Sequence, residues 1–356
     1  MKNRINMSDV AKACSVSIGT VSRALANDQK INIETRKRIK KVAKELGYVP
    51  NIFARNLSKK SSNIIGIVIP DITNPFFAEV AKSIENFARE KGFSIFLCNT
   101  NLSIENEKIY IEKLYSYQVD GIIILPVSFE IDHILKRFPP KDNIVFLNCI
   151  PTNLAESNYV ITDDYKIIYS ALNYLVNIGH KKISYFGGEE NLFSNATRKQ
   201  SFLKIMEQFN LKPILVNKNR ESYLNEYNII EEIKNDLITA TELPTAIVTY
   251  NDNLALNTIQ AIEEIGLRVP GDISVIGIDD ISIAKLYNVQ LSTVAQDITE
   301  IGIKSAEIMI NKIIGQSEEY EQFVLDPKLV IRKSTRSIAF NGESKPSAIS
   351  IVNSIG

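Results

Sequence analysis

The stretch MSDVAKACSVSIGTVSRALAND, residues 7–28, decides how the front of this chain folds. Met7–Cys14 reads as a short helix with Ser8 as N-cap and Val10, Ala11 and Cys14 at helical spacing. Ser15 and Val16 leave room only for a tight turn. Ser17 then caps a second helix in which Thr20, Val21, Ala24 and Leu25 face inward, while Ile18, Gly19, Ser22 and Arg23 face out. Two short helices joined so briefly make a helix-turn-helix, and its second helix is the one that enters a DNA major groove. The following ETRKRIKKVAKELGYVPN, residues 34–51, predicts a third helix from about Glu34 to Leu46, with Ile39, Val42, Ala43 and Leu46 closing a three-helix core. Gly47 and Pro50 stop it, since glycine suits a helix C-terminus and proline cannot continue one. Such a unit binds duplex DNA.

Asn51 caps the next segment, IFARNLSKK, residues 52–60, which is too short to be a stable helix alone because nucleation is costly. It carries Leu57 beside Arg55, Lys59 and Lys60. Two roles compete for it. In isolation it reads as a polar linker with one leucine; behind a helix-turn-helix it reads as a hinge that folds on DNA, with Leu57 as an apolar wedge in the minor groove.

Charge supports the division. Across all 356 residues Lys and Arg balance Asp and Glu, but residues 1–62 hold 14 basic against 4 acidic side chains, and the remainder 27 against 37. A basic head on an acidic body is the footprint of a phosphate-binding module attached to something else. Cys14, Cys98 and Cys149 are widely spaced in apolar segments, which fits buried thiols better than a disulfide framework or a metal site. The N-terminus runs directly into polar helical sequence, and no apolar run approaches the ~20 residues of a membrane span. A cytoplasmic location without membrane contact is expected.

From about Ser61 onward, apolar runs alternate with amphipathic stretches. Ile64–Ile69, Ser94–Cys98, Gly121–Leu125 and Ile144–Leu147 read as buried parallel strands, and Ile183–Phe186, Ala246–Thr249 and Val275–Ile278 repeat the pattern. This predicts an α/β body of doubly wound parallel sheets, two in number. Catalysis finds little support. Only His133 and His180 exist, and neither GxGxxG nor GxxxxGK occurs. The carboxylates Asp163, Asp164, Asp279 and Asp280 lie at strand ends, where they suit hydrogen bonding of a polar ligand; a glycosidase would need two of them flanking a scissile bond. No metal, cofactor or catalytic residue is expected.

The sequence resembles the lactose/galactose repressor family (LacI/GalR), including its purine-repressor type. The resemblance rests on DVAKACSVSIGTVSRAL, TRKRI, LGYVPN and ARNL at the front. GIVIPDITNPFFAEV, VDGIII, GHKKISYFGG, PTAIVTYND, GLRVPGDISVIGIDD, LSTVAQ and RKST follow in the body. It implies a homodimeric repressor-type regulator of pseudo-palindromic operator DNA, whose affinity is set by a small molecule, most often a sugar or sugar derivative. It also implies a two-lobed body like type I periplasmic binding proteins, with the effector between the lobes and crossovers near 161–163, 290–293 and 321–325.

The domains expected are a helix-turn-helix over 1–50, a hinge over 51–60, a core over 61–337 and a disordered tail over 338–356. Within the core, lobe 1 takes about 61–162 and 293–323, and lobe 2 about 163–291 and 324–337. The tail has no leucine heptads and holds Gly342 and Pro346, which argues against a tetramerising coiled coil.

By the same resemblance, DNA contacts fall to Ser17, Ile18, Gly19, Thr20, Ser22, Arg23, Tyr48, Asn51, Ala54, Arg55 and Leu57. Effector contacts fall to Phe76 and Phe77 as an aromatic wall, to Asn148, Arg198, Asn251 and Asp279 as fixed polar groups, and to Asp163 and Gln296 near the crossovers. For one of the two phenylalanines core packing is the competing role. Arg198 is the central expectation, because guanidinium grips hydroxyls or a carboxylate with a fork of donors. Departures from the family pattern are Ser15 in place of glycine in the turn, Ala26 in place of asparagine, Gly19 without a side chain at a base-reading position, and Asn148 in place of an acid.

Overall fold

The computed structural model describes residues 5–49, 61–139, 143–151, 156–188, 192–214 and 226–338. The chain divides into two units, residues 1–62 and 63–356.

In the first unit, α1 (Met7–Ala13), α2 (Ile18–Leu25) and α3 (Ile33–Glu45) enclose Val10, Ala11, Cys14, Val21, Ala24, Ile39 and Ala43. The cap of α1 is Asn6, not Ser8: Asn6 Oδ1 accepts from the Ser8 and Asp9 amides, and Asp9 Oδ2 accepts from the Asn6 amide at 2.9 Å. That reciprocal box satisfies more orphan donors than a lone serine. The turn to α2 bends at Ser15, whose φ of +51° is the left-handed region that favours glycine. The Val16 amide reaches back to the Ala11 carbonyl at 3.1 Å and completes the turn. Ser17 Oγ accepts from the Thr20 amide at 3.1 Å, as a cap. Leu46, expected on the core face of α3, is instead its C-cap and is 37% exposed. Gly47 follows with φ +69°, and the Tyr48 amide donates to the Ala43 carbonyl at 2.8 Å.

The second unit contains two sheets. The first has strand order β10-β5-β4-β3-β1-β2, all parallel, where β1 is Ile64–Ile69, β2 Ser94–Asn99, β3 Gly121–Ile124, β4 Ile144–Leu147, β5 Asn158–Thr162 and β10 Gln322–Leu325. The second has order β11-β9-β8-β7-β6, where β6 is Ile183–Phe186, β7 Ala246–Thr249, β8 Ser274–Asp279, β9 Ser292–Ala295 and β11 Lys328–Val330. Here β11 pairs antiparallel with β9, so this sheet is mixed at one edge rather than wholly parallel. Every residue of β1, β3, β4, β6, β7 and β8 is buried, as strands covered on both faces must be.

The helices α4 (Pro75–Glu90), α5 (Ile104–Ser116) and α6 (Asp132–Leu135) follow strands of the first sheet. The second sheet is accompanied by α7 (Asp164–Asn177), α8 (Phe193–Gln208), α9 (Glu226–Thr239) and α10 (Asp252–Glu264). A last helix, α11 (Ile298–Ile313), returns to the first sheet and packs on α4. Gly302 permits that approach: a Cβ there would stand 2.4 Å from the Ser83 Cβ.

The chain crosses between lobes after Thr162, after Ala295 and after Leu325. The second crossing comes later than 290–293, because β9 pairs with β8 and so belongs to the second lobe. Likewise β10 pairs with β5, which keeps residues 324–325 in the first lobe. Ile338 is tied by its amide to the Ile178 carbonyl at 2.9 Å, one residue past the expected boundary. The expected hinge over 51–60 and residues 339–356 lie outside the described residues.

Candidate DNA-reading surface and effector cleft

On α2 the division of faces follows from helical phase. Val21 and Ala24 are buried against α1 and α3, which turns Ile18, Gly19, Ser22 and Arg23 to the exposed side. Ile18 is 51% exposed, an unusual setting for isoleucine and one that suits contact with a thymine methyl. Ser17 and Thr20 are bonded to each other, Oγ to Oγ1, at 2.9 Å. A Cβ on Gly19 would meet nothing nearer than Ser17 Oγ at 3.8 Å, so the glycine leaves a gap on the outer face rather than relieving a clash. Tyr48 packs its ring against the three-helix core. Asn51, Ala54, Arg55 and Leu57 lie outside the described residues.

Arg36 and Arg38 add to the basic charge but have internal duties. Arg38 donates to the Cys14 carbonyl at 3.2 Å and Arg36 to the Ile31 carbonyl at 2.9 Å. Both hold loop backbone, whereas Arg23, Lys37 and Lys41 are exposed on the surface.

In the body, seven of the eight expected effector residues line one small cavity: Phe76, Phe77, Asn148, Arg198, Asn251, Asp279 and Gln296. Asn74, Leu125, Ser194 and Tyr250 complete it. The wall from lobe 1 begins at the N-terminus of α4, where Asn74 Oδ1 accepts from the Phe76 amide at 3.0 Å. The Phe76 and Phe77 rings meet edge to face, centroids 5.3 Å apart. Phe76 is the member of the pair sunk in the core, and Phe77 is half-buried.

Arg198, only 3% exposed, organises the lobe 2 side from α8. Its Nε donates to Asp164 Oδ1 at 2.7 Å and its Nη1 to the Tyr250 carbonyl at 2.7 Å. The guanidinium lies 5.1 Å from the Tyr250 ring centroid. Burial disfavours its charge, but Asp164 and Asp279 outweigh that and hold its pKa above the ordinary value.

Asp279 ends β8 with φ +118°, a strained setting for a residue with a side chain. Its Oδ1 accepts from Gln296 Nε2 at 2.6 Å. Burial pushes its pKa up to about 7, against the lowering effect of Arg198 and Gln296. Behind it, Asp252 accepts from Thr293 Oγ1 at 2.6 Å and from the Ile281 amide at 2.9 Å, which fixes the chain on either side of the site. Gly277 makes room for that carboxylate, since a Cβ there would stand 2.1 Å from Asp252 Oδ1. Burial, with the charge of Asp279, pushes the Asp252 pKa well up.

Asn251 Oδ1 caps α10 by accepting from the Leu254 amide at 2.9 Å. Two oxygens of the lining have no hydrogen-bond partner among the described residues, Asn148 Oδ1 and Gln296 Oε1. Leaving a buried oxygen unmet costs about 1–3 kcal/mol, and a ligand donor removes that cost.

Asp163 departs from expectation. Its carboxylate caps α7 by accepting from the Lys166 amide at 3.1 Å, and it lines a neighbouring cavity of about 500 Å³ rather than the small one. The residue beside it, Asp164, takes the contact with Arg198. Of the cavity lining, Asn74, Leu125, Ser194 and Tyr250 are not among the expected effector residues, and Asp164 is expected only as one of four strand-end carboxylates. Ser194 and Tyr250 are joined hydroxyl to hydroxyl at 2.9 Å. Phe193 lines the neighbouring cavity, and its ring meets Phe129 of lobe 1 at 5.5 Å.

Both histidines hold structure. His133 Nε2 donates to the buried Glu107 at 2.8 Å. His180 donates from Nε2 to the Arg336 carbonyl at 3.0 Å and meets the Thr245 hydroxyl with Nδ1, while burial pulls its pKa down. Among the described residues no helix is long and apolar enough to cross a membrane.

Comparison with known proteins agrees with this geometry. Residues 6–51 match the description of bacterial regulatory proteins of the lacI family, and residues 172–335 that of a periplasmic binding protein-like domain. The chain is 33% identical over 333 residues to the HTH-type transcriptional repressor PurR of Pasteurella multocida (strain Pm70), covering 92% of this chain and 98% of that protein. The Lac repressor dimer bound to operator and the anti-inducer ONPF is similar with TM-score 0.80 and 25% identity, over 94% of this chain and 100% of that one. A LacI family transcriptional regulator from Enterococcus faecium with bound ribose is similar with TM-score 0.67 and 28% identity, over 78% of this chain and 100% of that one. The chain belongs to the lacI family of bacterial regulatory proteins, and is a DNA-binding transcription regulator rather than an enzyme.

Proposed function

We propose that this regulator is a homodimeric repressor whose operator affinity is set by a sugar or sugar derivative held between Phe76–Phe77 and Arg198–Asp279. The observation that carries this reading is the composition of that cavity. An aromatic wall from lobe 1 faces fixed planar polar groups from lobe 2, and Asn148 Oδ1 and Gln296 Oε1 have no partner among the described residues. Sugars offer C–H faces to aromatic rings and hydroxyl donors to oxygens. The ribose bound by the Enterococcus faecium relative supports the same class.

Gating follows from the tightness of the site. It leaves about 10 Å³ for the centre of a water-sized molecule, so no ring enters without moving its walls. Those walls belong to different lobes, and an occupant therefore alters how the lobes sit against each other. In a dimer on a pseudo-palindrome, Ser17, Ile18, Gly19, Thr20, Ser22 and Arg23 read each half-site, with Tyr48 and Asn51 at its edge. Ala54, Arg55 and Leu57 contact the minor groove between the half-sites. A change in lobe arrangement that separates the two hinges lets the heads bind independently, at far lower effective concentration.

A thermal-shift screen of the full chain tests the assignment, because binding to the native state raises its melting temperature by mass action. A free or phosphorylated sugar is expected to raise it, and Arg198→Ala to remove that shift. A rise with purine bases and none with sugars contradicts the sugar class.

A further inference from the structure

The basic charge of the first unit is concentrated on one helix. α3 alone carries six of the 14 Lys and Arg side chains of residues 1–62, against two glutamates. Its two arginines are committed to the Ile31 and Cys14 carbonyls, and Lys40 Nζ meets Asn27 Oδ1. Lys37, Lys41 and Lys44 remain, and all three are exposed. Among the described residues their one ion pair is Lys41 with Glu45, at 3.9 Å between side chains 78% and 61% exposed, too open to hold either charge.

These three lysines form a stripe. At about 100° per residue they fall within about 60° of one another, on the side of α3 opposite Ile39 and Ala43. Ile39 and Ala43 are buried in the core that α3 shares with α1 and α2. From α2 the same core takes Val21 and Ala24, which turns Ile18, Ser22 and Arg23 outward. Two helices that share a core present their outer faces in different directions, so a straight duplex lying on α2 leaves the stripe clear.

The stripe also opposes its own helix, because like charges three or four positions apart repel, as Lys37 does Lys41 and Lys41 does Lys44. A polyanion relieves that repulsion. Duplex DNA, with one charge per about 1.7 Å of axis, does so far more densely than the body, whose residues 63–356 hold 37 acidic against 27 basic side chains.

We propose that Lys37, Lys41 and Lys44 form a second, sequence-independent DNA surface, which holds the phosphate backbone of another duplex segment while α2 still reads the operator. Lysines make point-charge contacts with phosphate, which position a duplex without specifying its sequence. A segment held there is placed to take over the head as α2 leaves its groove, so the regulator passes between duplexes without a free intermediate.

Dissociation of the full-length protein from a fluorescent operator duplex, started by adding unlabelled random-sequence duplex at increasing concentration, tests the proposal. The rate is expected to rise about fivefold or more with competitor, and the rise to shrink steeply between about 50 and 200 mM salt as counterions take the place of the lysines. Lys37→Gln, Lys41→Gln and Lys44→Gln combined keep good helix formers on the surface. They are expected to make the rate independent of competitor, with operator affinity held within about threefold, since charges beyond a Debye length of about 8 Å are screened. A rate in the native protein that ignores competitor overturns the proposal. So does an undiminished rise in the triple variant, which assigns the transfer to the α2 face alone. A large loss of operator affinity in the variant places the stripe on the operator itself and also overturns it.

Discussion

The two functional regions of this regulator solve opposite problems. The outer face of α2 presents Ile18, Ser22 and Arg23 to solvent with no structural duty, while Val21 and Ala24 behind them hold the core. In the cleft the roles merge. Arg198 is bonded to Asp164 and Gln296 to Asp279, and Arg198 and Asp279 act on each other through charge, so the groups proposed to hold a ligand also hold the lobe together. The contrast teaches that DNA reading can drift at little expense to folding, whereas a change of effector specificity must be matched by its neighbours.

Arg198→Ala gives the largest expected departure between the regions. It leaves the part-buried Asp164 and the buried Asp279 carboxylates without their cation, and breaking a buried pair costs about 3–5 kcal/mol. Denaturant unfolding of the body should register that loss. Arg23→Ala should change unfolding by less than about 0.5 kcal/mol, as exposed substitutions do. It should weaken specific operator binding by roughly 1–3 kcal/mol if Arg23 reads a base edge. Equal weakening on random and operator DNA would instead make Arg23 a phosphate contact.

Much of this contrast is legible in the sequence, because helical phase alone sorts α2 into core and surface. The strands that are apolar throughout, such as Ile64–Ile69 and Ile183–Phe186, are equally plain. Those at the crossovers are not. In β9, Ser292 and Thr293 are fully buried but polar, and Thr293 is satisfied by Asp252 from the N-terminus of α10. Asn158 in β5 is likewise buried and held by the Ile144 carbonyl and the Glu321 amide. Such residues look like loop until their distant partners are known. The exchange of Asp163 for Asp164 has a similar origin. Successive helix positions differ by about 100°, and the cap position fixes which of the two carboxylates faces Arg198.

A smaller effect separates the regions by pH. Folding raises the Asp279 pKa to about 7, so the folded state holds this proton more tightly than the unfolded chain. Its contribution to stability is full below the ordinary carboxylate range and is lost as pH rises through about 7. The melting temperature of the body should therefore fall less between pH 5 and 8, taken as about that window, in Asp279→Asn than in the native chain.

The smallest effect belongs to the turn before α2. Ser15→Gly relieves a left-handed strain of about 1–2 kcal/mol but gives the unfolded chain more freedom, offsetting about 0.5–1 kcal/mol. A net gain of about 0.5–1 kcal/mol in the first unit is expected from thermal unfolding. A net loss would show that the strain is already relieved locally.

The central claim is that the cleft and the DNA surface are two faces of one equilibrium. Its direct test is a thermodynamic cycle measured with a sugar identified by the thermal-shift screen: operator affinity with and without sugar, and sugar affinity with and without operator. Linkage requires both pairs to change by one factor. In Arg198→Lys, which keeps the charge but loses the fork, that factor is expected to fall toward one while sugar-free operator binding stays near normal. Unequal factors in the native protein, or an undiminished response in Arg198→Lys, would contradict the account.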